Sequence, residues 1–275
     1  MKQLATLLFF ITFWSQSMQA QTPEKSINYS NQQWIQYYNK LHFSEHWSLL
    51  TDGGFRTKDA FNSPSQYIVR TGIAYQLNPN LRFAAGFAHL GFYRSDSLSS
   101  MEFRPYQEVL LKQKVGKVSI GHRFRLEQRV FRNLDPAGGL SSTGDFNLRY
   151  RYRLFLNIPL WISKNTAGRK LQLNVGDEIF LASGKDVVYN IFNQNRILVG
   201  PTFKINKNFG ISMTYNHQFI GKNAPAEYNQ DYVFWLGIKH TIDLRKKKGG
   251  NGLGNSDGTG GGKQDGSGGG TGRGK

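Results

Sequence analysis

Residues 145–158 read DFNLRYRYRLFLNI. Phe146, Leu148, Tyr150, Tyr152, Leu154, Leu156 and Ile158 alternate with Asp145, Asn147, Arg149, Arg151, Arg153, Phe155 and Asn157. A helix would scatter the two sets around its axis, whereas a strand sends successive side chains to opposite faces. One face is therefore apolar and the other strongly polar over a length well beyond the ~5–6 residues of an ordinary soluble strand. It matches a tilted membrane-crossing strand, which needs about 9–11 residues. Leu154 is expected to face lipid and Asn147 the interior.

The same period of two recurs outward from this stretch. Tyr67, Val69, Thr71, Ile73 and Tyr75 form one apolar face, and Leu81, Phe83, Ala85 and Phe87 another. Val118, Ile120, Phe124, Leu126 and Val130 alternate with Ser119, Gly121, Arg123, Arg125, Glu127 and Arg129. Ile197, Val199 and Phe203, then Ile211, Met213, Tyr215 and Phe219, then Tyr232, Phe234, Leu236, Ile238 and Ile242 continue the pattern. The opposite faces carry Arg, Asn, Gln, Gly and Thr. That partition predicts an all-β, closed antiparallel transmembrane barrel with lipid outside and a polar lumen.

Composition narrows the classes. The chain has 275 residues, no Cys, and 35 Lys and Arg against 18 Asp and Glu, a net charge of +17. Without Cys there is no disulfide scaffold, thiolate metal site or Cys nucleophile. No apolar run is long enough for a membrane helix. Lys2, an apolar stretch from Leu4 to Trp14 and Ala20-Gln21 read as a signal peptide over 1–20. Export argues against a nucleic-acid partner for the positive charge. From Arg245 the chain is Gly-rich and basic, so 245–275 is expected to be a disordered tail. The barrel domain then spans 21–244.

Short turns are expected at 41–46, 77–80, 114–117 and 205–208. Longer loops are expected at 57–64, 95–101, 132–144, 182–191 and 221–230, so turns and loops alternate as in outer-membrane barrels. Eleven strands are evident, but an even number is the rule for single-chain bacterial barrels. An upward strand over Glu24–Ser30 supplies the twelfth; ten is the alternative. Trp47, Trp161 and Trp235 are read as interfacial belt residues.

Several stretches together resemble a known family: QQWIQYYNKL (32–41) and HWSL (46–49), HRFRLEQR (122–129), LRYRYRLFLNIPL (148–160), DEIF (177–180) and NQNRILVGPTFKI (193–205). They are similar to the bacterial outer-membrane barrels catalogued as domain of unknown function 2490, across 31–244. The resemblance implies an outer-membrane barrel and no established activity. The tail beyond Leu244 departs from it.

The candidate site is the interior charge network: Arg104, Glu108, Arg123, Arg125, Glu127, Arg129, Arg149, Arg151, Arg153, Glu178 and Arg196, with Arg70, Arg82 and Glu102 on the same faces. Arg–carboxylate forks can rigidify a lumen, and an Arg excess can attract anions. The function expected is a structural or small-solute channel, anion-favouring, in the outer membrane of a Gram-negative bacterium. Its partners are outer-membrane lipid and the barrel-assembly machinery. The alternatives are a membrane-embedded lipid-modifying enzyme and a soluble exported ligand-binding barrel. No HExxH or metal-ligand spacing is present, so no catalytic residue, metal or cofactor is expected. His89, His122, His217 and His240 fall on the lipid-facing phase. Asp96-Ser97-Leu98 matches a short O-glycosylation acceptor pattern, read chiefly as a plain loop.

Overall fold

A computed structural model of the chain describes residues 24–135, 138–142 and 144–245. The signal-peptide reading at 1–20 and the tail from 246 onward lie outside the described residues.

The described residues form eleven strands and no helix: β1 (Ser26–His42), β2 (Trp47–Lys58), β3 (Ser63–Asn78), β4 (Leu81–Arg94), β5 (Ser97–Val115), β6 (Val118–Asn133), β7 (Asp145–Ile162), β8 (Lys170–Ser183), β9 (Phe192–Lys204), β10 (Phe209–Gly221) and β11 (Glu227–Asp243). Each pairs antiparallel with its chain neighbour, and β1 closes the barrel against β11. That last pair is parallel, in unbroken register from Ser26 opposite Glu227 to His42 opposite Asp243. With eleven strands both end strands run the same way, so closure has to include one parallel pair.

The expectation of twelve strands, all antiparallel, is thus corrected. The segment assigned to an extra upward strand is the first part of β1, which runs straight on through Ser30 to His42. The whole of Ser26–His42 pairs with β11 in unbroken register, so the chain does not reverse at Asn31-Gln32. The long loop expected at 95–101 is also corrected. Ser95 and Asp96 take φ of 48° and 61° and make a tight hairpin turn, and β5 begins at Ser97. Asp96-Ser97-Leu98 therefore straddles a hairpin corner.

The wall is inside-out relative to a water-soluble protein. Val69, Ile73, Phe124, Ile197, Met213 and Phe234 are exposed on the outer surface, while Gln36, Glu102, Glu108, Glu127, Glu178 and Gln218 are buried within. Leu154 is exposed on the outward phase, opposite His122 on one side and Asp177 on the other. Inside, Phe155 lies across from Gly121 in the β6–β7 register, and a Cβ at Gly121 would overlap its ring. This pairing lets an aromatic ring cover a glycine that offers no side chain of its own.

The four outward histidines all pair with tyrosines. Tyr67 hydrogen-bonds His89 at 2.9 Å, Tyr152 bonds His122 at 2.9 Å and Tyr37 bonds His240 at 2.8 Å, while His217 stacks on Tyr232 with centroids 5.3 Å apart. Such pairing lowers the cost of a polar ring on an apolar wall. Asp177 stands on the same wall and accepts from Asn195 at 3.1 Å.

The facing can be tested in lipid. Val199 is exposed mid-strand in β9, whereas Thr214 lines the lumen. Val199→Arg is expected to destabilise the barrel by about 2–4 kcal/mol in folding titrations into lipid vesicles, and Thr214→Arg far less. Equal costs at the two positions would mean that the faces are wrongly assigned. Leu154 is the poorer site for this test, because an Arg there would lie beside Asp177.

Candidate functional site: the charged lumen

Strand register sets up the interior network. Glu127 of β6 sits opposite Arg149 of β7, Glu108 of β5 opposite Arg125 of β6, and Glu178 of β8 opposite both Arg153 of β7 and Arg196 of β9. Period-two alternation aims all of them inward.

Glu127 is the hub. Its carboxylate accepts from Arg149 Nε at 2.7 Å and from Arg151 Nη1 at 2.5 Å, with Arg125 at 3.7 Å and Arg104 at 3.9 Å. Glu178 accepts from Arg151 Nη2 at 2.8 Å and from Arg123. Glu108 holds Arg82 at 2.8 Å and Arg125 at 2.5 Å, and Glu102 holds Arg104 at 2.6 Å and Arg129 at 2.7 Å. Several of these forks are two-point guanidinium–carboxylate contacts, which fix geometry as well as charge. Phe180, fully buried, lies under Arg149, Arg151 and Arg196 with guanidinium carbons 5.3, 4.4 and 4.7 Å from its centroid.

Every interior residue expected from sequence points inward, but two stand apart. Arg153 and Arg196 have no described carboxylate within salt-bridge distance, and the Nε of each lacks a hydrogen-bond partner among the described residues. A further interior cation escaped sequence reasoning. Arg56 of β2 donates to Gln66, and its guanidinium carbon lies 3.7 Å over the Trp34 ring. Its signal was faint because Gly53 and Gly54 break the alternation of β2 just before it. Asp52, which holds Arg70 at 2.9 Å, was missed for the same reason, and Asp231 because it abuts the loop expected at 221–230.

The tryptophans sort into two groups. Trp47 and Trp161 are exposed near strand ends. Trp235 is not a belt residue: it sits mid-strand, lines the lumen and packs edge-on against Trp34 with centroids 5.2 Å apart. Trp34 is buried at 3% exposure, and its Nε1 donates to Gln32 at 3.0 Å.

Beside the network a cavity of about 660 Å³ remains. Its far wall carries carboxamides and hydroxyls, among them Gln32, Gln36, Gln218, Asn229, Ser212 and Thr214. Eleven Arg and Lys side chains line it, against Glu178 and Asp231. The other carboxylates lie behind their arginines.

A Ser–His contact does occur, Ser48 Oγ with His42 Nδ1 at 3.0 Å, on the inward phase near the turn end of β1 and β2. Ser48 is buried, and the nearby Asp243 carboxylate is engaged by Arg245 at 2.7 Å. The pair therefore lacks the orienting carboxylate that a nucleophilic triad uses.

The sequence model of the family described as protein of unknown function (DUF2490) matches residues 31–229. The chain belongs to that family. The match takes in the whole charged network, from β4 to β9, and stops just inside β11. No curated protein matches the chain. Among solved structures, the NanC porin is similar at 10% identity, over 74% of this chain and 90% of its own, with a TM-score of 0.42. A mutant of the ferric enterobactin receptor PfeA of Pseudomonas aeruginosa, in complex with enterobactin, is similar at 11% identity, over 64% of this chain and 35% of its own, with a TM-score of 0.30.

Proposed function

We propose that this family member is an exported outer-membrane barrel whose lumen favours the passage of small anions. The apolar outer wall and polar interior support a lipid setting, with the barrel-assembly machinery as the partner for insertion. The observation that carries the anion preference is the lining of the cavity, eleven cationic side chains to two acidic ones. In a narrow, low-dielectric passage such an excess raises the local anion concentration and excludes cations.

The experiment is a planar-bilayer recording under a KCl gradient. The wild-type barrel should give a reversal potential displaced toward that of chloride. Arg153→Gln with Arg196→Gln should shrink the displacement, because these two line the cavity without a direct ion pair to any described carboxylate, so their loss breaks no fork. Neutralising Arg149 and Arg151 instead would be a poor test: Glu127 would lose its two closest partners, while Glu178 would keep Arg123. A cation-selective or non-conducting barrel would overturn the proposal.

A further inference from the structure

Most interior arginines are held by carboxylates, but Arg56 and Arg196 are held by carboxamides. Arg56 donates to Gln66, and Arg196 Nη2 donates to Gln194 Oε1 at 3.3 Å. Both guanidiniums gather around one ring, with carbons 3.7 and 5.5 Å from the Trp34 centroid. Arg196 also lies 4.7 Å from the Phe180 centroid. The Nε of each is buried without a hydrogen-bond partner among the described residues. Two acids line this cavity: Asp231 is engaged by Ser30 at 2.7 Å and Gln32 at 2.9 Å, and Glu178, opposite Arg196 in register, is taken up by Arg151 and Arg123.

Two cations share one ring in a secluded cavity, and the amides that orient them are neutral, so neither has a directly bonded counter-charge. An arginine lying against an aromatic ring keeps its in-plane N–H donors free, and their fork matches two oxygens of one acceptor. We propose that Arg56 and Arg196, steadied around Trp34, form a saturable site for a compact oxyanion, a carboxylate or a phosphate. The proposal rests on the anion-favouring reading of the lumen and deepens it: the cavity holds an oxyanion at one place rather than merely attracting negative charge.

The test is calorimetric titration of the folded full chain in detergent at low chloride, with inorganic phosphate in one arm and acetate in the other. At least one arm should saturate at a single site per barrel, and which arm does so distinguishes the two sources of the oxyanion. The Arg56→Gln/Arg196→Gln pair should weaken that binding at least tenfold, while Arg169→Gln, on an outside turn, leaves it unchanged. The Arg56→Lys/Arg196→Lys pair keeps the charge but loses the fork, and should weaken binding severalfold. It also carries the test if the Gln pair does not fold. Non-saturating uptake of both anions by wild type, or wild-type affinity in the Lys pair, would overturn the site. Binding needs no conduction. A barrel that binds but does not conduct therefore sinks the channel alone, and one that conducts anions without saturable binding sinks the site alone.

Discussion

Replacing Glu127 by Gln is expected to destabilise the folded barrel by about 3–5 kcal/mol, the range for removing one member of a buried ion cluster. Glu127 is fully buried and touches four guanidiniums, two of them at 2.5 Å. A glutamine preserves shape and some hydrogen bonding but removes the one negative charge that separates Arg149 from Arg151. Those side chains protrude from alternate positions of the same strand and cannot move apart without leaving Phe180. Urea titrations of the folded protein in lipid vesicles read the loss. Glu45→Gln, on the turn between β1 and β2, should change little, since exposed substitutions away from such features are usually within ~0.5 kcal/mol. A Glu127→Gln barrel as stable as wild type would mean that Glu178 suffices for Arg151 and that Arg149 needs no carboxylate.

The contrast between these residues and Arg56 explains what could be read in advance. On β7 each outward position is large and apolar and each inward one polar up to Arg153, so phase follows from identity alone. The neighbouring strands carry the same alternation in their own sequence, which is why the Arg and Glu ladders of β5 to β9 were legible. On β1 both faces carry tyrosine and polar residues: Tyr37 is outward and Tyr38 inward, Gln33 outward and Gln36 inward. On β2 two glycines present no side chain to either face. Their phases are decided by pairing with β11 and β3, a tertiary effect. Closure is less local still. Nothing within Ser26–His42 states that its partner is 201 residues away, or that the pair is parallel. The strand count was therefore inferred from a rule about even barrels, and this barrel departs from that rule.

The second large effect should come from that seam. Trp34→Ala is expected to cost about 3–5 kcal/mol, as for truncation of a buried aromatic. Trp34 is 3% exposed and stands opposite Arg56 on the antiparallel side and Trp235 on the parallel side. It thus ties three strands together at the one place where the two ends of the sheet meet. Removing the indole opens a void beside Trp235, frees the Gln32 amide oxygen and leaves Arg56 and Arg196 with no shared ring to lie against. Trp34→Phe keeps most of the packing and should cost less. Trp161→Ala, exposed near the end of β7, should cost little. Unfolding curves give the magnitudes, and limited proteolysis gives the place. If the seam is the weak line of the barrel, Trp34→Ala exposes cleavage sites in β1 or β11 before any in β5 to β8, because those strands remain clamped by their Arg–Glu forks. Cleavage that begins within β5 to β8 would instead put the weak line in the charged wall.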